Sequence, residues 1–175
     1  MGYVYTDVRR TVMISVLAVV ACLAGCGGIV PSTNVCTQIG MPVGLALRVE
    51  APLAARVKRA TMRVCWDGSC RDARLVLTPS TTSVPARKTC GPGPEDTCGA
   101  VATPDGELVA FNDLPGLPKK AVRVGVALFD GEGASVLDRE IEVTPKGAFP
   151  NGPDCGEAGP QAGVVAGETG LRERA

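Results

Sequence analysis

Val122-Arg123-Val124-Gly125-Val126-Ala127-Leu128-Phe129 is followed at once by Asp130-Gly131-Glu132-Gly133. A period of two sends Val122, Val124, Val126 and Leu128 to one face, with Arg123, Gly125, Ala127 and Phe129 opposite. The acidic, glycine-rich tetrapeptide turns the chain. Leu137, Ile141 and Val143 then return on the apolar face, interrupted by Arg139, while Asp138, Glu140 and Glu142 make the other face acidic and solvated. The spacing predicts a β-hairpin over 122–143.

The same signal recurs on either side. Met62, Val64 and Trp66 alternate with Thr61, Arg63 and Cys65, and beyond Asp67-Gly68, a strong hairpin turn, Ala73, Leu75 and Leu77 continue the pattern. Leu45, Leu47 and Val49 alternate with Ala46, Arg48 and Glu50. Leu108 to Phe111 reads as a strand ending at Asn112-Asp113-Leu114-Pro115-Gly116, and a last weak strand is placed within Ala162 to Leu171. Residues 78–106, rich in Thr, Ser, Pro and Gly, read as a long loop with at most a short edge strand. Six to eight short strands without a convincing amphipathic helix predict an all-β, immunoglobulin-like antiparallel β-sandwich over residues 35–171. Trp66 beside Cys65 is similar to the core of immunoglobulin-like domains, but the cysteine spacing does not match their inter-sheet bridge. The expectation is of architecture, not of membership in that superfamily.

The N-terminus has another purpose. Arg9-Arg10 precedes an apolar run from Val12 to Leu23, broken only by Ser15. A short charged segment, about a dozen apolar residues and a small-residue site make a secretory signal. The run is shorter than the roughly 20 residues a membrane span needs. The flanks of Arg9-Arg10 fit the twin-arginine export pattern poorly, so an ordinary n-region is the simpler reading.

The segment closes on Leu23-Ala24-Gly25-Cys26, which resembles the lipobox of bacterial lipoproteins. The resemblance implies cleavage before Cys26 and a diacylglyceryl group on its thiol. Two acyl chains anchor where one binds only marginally. Residues 1–25 would then be a discarded signal peptide carrying Cys22, residues 26–34 a lipidated tether, and residues 172–175 a charged tail after the domain. The implied location is the cell membrane, lipid-anchored through Cys26 and facing the extracytoplasmic side. Cys36-Thr-Gln-Ile-Gly40, the VCWDGSC segment and Pro150-Asn-Gly-Pro-Asp-Cys155 together resemble small lipoproteins of high-GC Gram-positive bacteria, a likeness that carries no activity with it.

Removing residues 1–25 leaves 150, enough for one domain with a modest core. Trp66, Phe111, Phe129 and Phe149 are then its only aromatics, too few for platforms that stack bases or sugars. A formal charge of zero gives no electrostatic footprint for nucleic acid. The chain contains no histidine, which removes His-based acid–base work, Ser-His-Asp and Cys-His nucleophiles, and most zinc enzymes.

Six cysteines follow the anchor: Cys36, Cys65, Cys70, Cys90, Cys98 and Cys155. An even number in an exported chain implies a disulfide framework, and six allow fifteen connectivities. Local geometry favours Cys65–Cys70 across Asp67-Gly68 and Cys90–Cys98 across GPGPEDT, leaving Cys36–Cys155 to join the start of the domain to its end. In the chain-entropy model the long closure stabilises by about 4–5 kcal/mol and each short one by about 2–3. Neither close pair has the C-x-x-C spacing of redox sites or zinc ribbons.

Asp130 and Glu132 lack the spacing of an EF-hand calcium loop; Gly125, Gly167 and Gly170 form no phosphate-binding fingerprint; Ser80 and Ser83 have no base beside them in the sequence. No catalytic residue, metal site or cofactor is therefore expected. The expected function is a non-catalytic binding or structural module, with loops 78–106 and 144–161 to present a surface to a protein, cell-wall component or small ligand. The alternative is a cysteine-dependent redox or metal-binding protein, which free thiols would favour.

Overall fold

The computed structural model describes residues 36–85 and 99–174, nearly all of them in the compact unit Thr37–Ala175. The alternating run at 122–129 becomes β6 (Val122–Phe129), the interior strand it resembles: its four even-numbered residues are buried and its odd-numbered ones face outward. On one side it pairs with β2 (Arg59–Trp66) and on the other with β7 (Ser135–Val143), while β3 (Ser69–Leu75) closes the far edge. The sheet order is β3-β2-β6-β7. Both predicted hairpins are present, and they lie side by side in one sheet. Asp67 (φ 50°) and Gly68 (φ 76°) turn the first one, the paired positive φ of a type I′ turn.

A second sheet covers the apolar face of the first. Its order is β10-β9-β1-β5-β4, from β10 (Gly170–Glu173), β9 (Ala158–Gly167), β1 (Gly44–Val49), β5 (Ala100–Asp113) and β4 (Thr78–Pro85). A three-residue β8 (Lys146–Ala148) also pairs with β9. Leu45, Leu47 and Val49 of β1 and Val164 and Ala166 of β9 face Met62, Val64, Val124, Val126 and Leu128 across the sandwich. This is the all-β sandwich the alternation predicts. One pairing departs from antiparallel geometry: β1 runs parallel to β9, with Leu47 opposite Val164. Gly44 begins β1 because the chain is crowded there; a Cβ would lie 2.0 Å from the Asn112 carbonyl oxygen and 2.9 Å from the Phe111 ring.

The register defines two ends. At the proximal end the chain enters β1, and the 67–68 turn and loops 114–121 and 144–157 gather there. Leu114 and Leu117, both buried, plug it. At the distal end a one-turn helix, α1 (Ala51–Ala54), tucks Leu53 and Ala54 under the core beside Val57. That turn has no amphipathic repeat to announce it.

Three expectations are corrected. Residues 78–85 and 100–106 are not loop: they belong to β4 and the first half of β5, which pair antiparallel, and 86–98 lie outside the described residues. The weak strand placed at 162–171 is two strands, β9 and β10, reversing at Glu168-Thr169, and β10 takes in Arg172 and Glu173 of the supposed charged tail. The strand read at 108–111 runs from Ala100 to Asp113. In each case backbone pairing continues where side chains give no alternating burial signal. Ala158–Gly163 is half-buried throughout, and 100–104 is exposed throughout.

Candidate functional site

The β4–β5 hairpin is the feature that the core does not explain. β1 pairs with β5 only from Leu108 to Asp113, so the residues before Leu108 continue past the distal end, paired only with β4. Residues 81–85 and 100–104 of this arm are exposed throughout. Val84 and Val101, direct cross-strand partners, are 43% and 55% exposed. The arm is clasped at its root. Ser80, at a bulge between Pro79 and Thr81, donates its hydroxyl to Asp105 Oδ2 at 2.8 Å, and Asp105 Oδ1 accepts the Glu107 N–H at 3.0 Å. Gly106 bends the backbone there with φ 81°, and Arg48 of β1 pairs with Glu107 at 2.5 Å. The Glu107 amide first, and the Ser80 hydroxyl after it, hold the Asp105 carboxyl below its ordinary range. The pair serves as a fastening at the root of the arm. Asp105 carries no motif in the sequence; the contact forms only because the bulge brings Ser80 opposite it.

The outer face of the four-stranded sheet is the other prominent surface. Its register sets Asp72, Arg63, Gly125 and Glu140 in one row and Arg74, Thr61, Ala127 and Asp138 in the next. Gly125 and Ala127 are small, so an open trough of about 590 Å³ runs over them between Arg63 and Asp72 on one side and Asp138 and Glu140 on the other. Arg63 grips Asp72 through Nε and Nη2 at 2.6 and 3.1 Å. That hydrogen bond is the main reason the Asp72 carboxyl lies below its ordinary range and the Arg63 guanidinium above its own. Asp138, Glu140 and Glu142 project from one face of one strand, so they do not oppose each other across a cleft as a glycosidase pair must. Arg139, the interruption noted in β7, is exposed at the sheet edge and donates to the Asp138 carbonyl at 2.8 Å. A charged side chain on an edge strand guards it against pairing with another chain.

The residues singled out in the sequence are dispersed. Asp130 turns its carboxylate onto its own loop: Oδ1 accepts the amides of Glu132, Gly133 and Ala134 at 3.0, 2.8 and 2.8 Å. That Asx nest accounts for the acidic turn without a cation. Among the described residues no group of three or more His, Cys, Asp or Glu could hold a metal ion. Cys65 and Cys70 are directly opposed in the β2–β3 register and form a disulfide on the outward face of the sheet, with Cα atoms 4.0 Å apart. Cys36 and Cys155 are each disulfide-bonded. Cys26, Cys90 and Cys98 lie outside the described residues. Trp66 is half-buried at the proximal end, with Arg71 stacked 4.8 Å from its ring and donating to the Pro115 carbonyl at 2.7 Å. The two stretches expected to present a surface, 78–106 and 144–161, are held apart by the length of the sandwich: the described part of the first, 78–85 and 99–106, lies at the distal end, and 144–157 of the second at the proximal end.

No protein-family model, curated protein or solved structure matches the chain.

Proposed function

We propose that the protein is a membrane-anchored extracytoplasmic lipoprotein whose β-sandwich is a non-catalytic binding or structural module. The projecting β4–β5 arm carries this reading. A two-stranded ribbon is marginal by itself in water, and this one is exposed along 81–85 and 100–104, so its strands contribute little to the core. A clasp at Ser80, Asp105 and Glu107 nevertheless fixes its root. Such a ribbon is suited to display a surface rather than to bury one. It leaves the sandwich at the end opposite the start of β1, so a domain anchored through its N-terminal side can present it away from the membrane. The sequence pattern at Leu23-Ala24-Gly25-Cys26 supports the anchor.

The reading is tested by intact mass of the protein isolated from membranes, with thiol alkylation before and after reduction. The expected result is a chain beginning at Cys26, carrying a diacylglyceryl adduct and no alkylatable thiol until it is reduced. A second reading draws on the Cys65–Cys70 bond, which faces outward with Arg123 opposite Cys65 in the register, a neighbour that favours thiolate. Free thiols at Cys65 and Cys70 in the native protein would replace the binding module with a cysteine-dependent redox or metal-binding one.

A further inference from the structure

Two large apolar side chains stand half exposed at the proximal end, Ile39 at 55% and Phe149 at 50%. Asn151 ties their segments together. Its Oδ1 accepts the Ile39 N–H at 2.9 Å and the Thr37 hydroxyl at 2.6 Å, and its Nδ2 donates to the Ile39 carbonyl at 3.0 Å. The turn that carries Phe149 closes when Gly152 N–H donates to the Phe149 carbonyl at 3.1 Å. The patch is therefore held by hydrogen bonds between segments 112 or more residues apart in sequence.

Single exposed apolar residues are ordinary on any protein surface. This pair differs in its placement. Ile39 lies three residues after Cys36, and Cys36 lies ten positions after Cys26, a reach of at most about 35 Å. Two lysines near this end are held in ion pairs, Lys119 with Glu157 and Lys120 with Asp67, each at 2.5 Å. Two half-exposed side chains would hold a free domain on lipid only fleetingly. A domain tethered by a short chain meets the surface at an effective concentration of about a millimolar, where a weak contact suffices to set orientation.

Building on the lipid-anchor reading, we infer that the Ile39–Phe149 patch rests on the lipid surface of the membrane that holds Cys26, standing the sandwich upright with the β4–β5 arm outward. The test uses the full lipidated chain in phosphatidylcholine vesicles with and without brominated acyl chains. Two reporters are compared in a Trp66→Phe background, Phe149→Trp at the patch and Val84→Trp on the arm. Bromine should lower the emission of the Phe149→Trp reporter about twofold, as expected for a side chain at the headgroup–acyl boundary, and leave the Val84→Trp reporter unchanged. Equal quenching of both reporters, or of neither, overturns the inference while the anchor stands. Absence of quenching together with a dimer that dissociates when Ile39 and Phe149 are changed to Ser assigns the patch to a second copy of the chain. A chain isolated without the diacylglyceryl mass brings down both readings. If Trp66→Phe impairs folding, the same comparison is made with Trp66 retained, as the difference in quenching from the parent.

Discussion

Val84 and Val101 face each other across the β4–β5 arm, yet about half of each side chain is in water. Such a pair stabilises its own ribbon by a few tenths of a kcal/mol to about 1, and contributes nothing to the sandwich core. Changing both to Thr should leave the thermal midpoint within about 2 °C of the parent. Hydrogen exchange should quicken at 81–85 and 100–104 only. A large drop in the midpoint would mean that the arm is part of the cooperative unit.

Leu128 behaves in the opposite way. It is fully buried between the sheets, and Leu128→Ala removes side-chain volume that its neighbours fill only in part. The expected cost is about 2–5 kcal/mol, a fall of roughly 10 °C in a thermal melt of a domain this size.

Asn112 is the one buried polar residue of the described core, 6% exposed, and its Nδ2 has no acceptor. An unsatisfied buried donor costs about 1–3 kcal/mol, and a side chain of similar size without the amide avoids that cost. Asn112→Leu should therefore leave the midpoint unchanged or raise it by a few degrees. A marked loss of stability would show that the amide has a partner after all.

Much of the sandwich is legible in the sequence, because burial on one face imposes a period of two. Val122–Leu128 and Met62–Trp66 show it plainly, and Asp67-Gly68 supplies turn chemistry at the right distance. The arm is illegible for the same reason: Thr81 to Pro85 and Ala100 to Pro104 are wet on both faces, so nothing constrains their pattern, and their Pro and Ser content resembles a loop. The parallel contact of β1 with β9 depends on two segments more than a hundred residues apart, which no local signal reports. Of the candidate site, the cysteine pairing at the 67–68 turn could be read from spacing. The Ser80–Asp105 clasp could not, since it exists only through the bulge. The Ile39–Phe149 patch also escapes the sequence, because exposure is a tertiary property.

Acid should weaken two places first. Asp72 and Asp105 both titrate below their ordinary range in the folded state, the one through Arg63, the other through the Glu107 amide. A depressed carboxyl stabilises the fold above its unfolded pKa of about 3.9, and that contribution disappears as the pH falls through the folded value. Asp72→Asn and Asp105→Asn should each lower the midpoint slightly at neutral pH, with the difference from the parent closing in melts well below pH 3.9. For Asp105→Asn, exchange at the arm root should rise at neutral pH to the level that the parent reaches only in acid.

The Cys65–Cys70 bond spans a hairpin that Asp67 and Gly68 already turn. In the chain-entropy model so short a closure stabilises by about 2 kcal/mol, and Cys65→Ser/Cys70→Ser should lower the midpoint by several degrees while the fold survives. Complete unfolding would give this staple a larger share of the stability than its loop length predicts.

The position of β1 governs the order in which the molecule can be completed. This strand is the earliest of those described, yet its two neighbours are β5 and β9, the latter beginning at Ala158. As the polypeptide emerges from its N-terminus, Leu45, Leu47 and Val49 must wait for almost the whole remaining length before both flanks are occupied, and such distant closures make folding slow. The β2–β3 and β6–β7 hairpins can meanwhile assemble from sequence neighbours and await their cover. A chain stopped before residue 158 would keep that half and leave β1 with a bare flank, an adhesive intermediate prone to pair with its own copies.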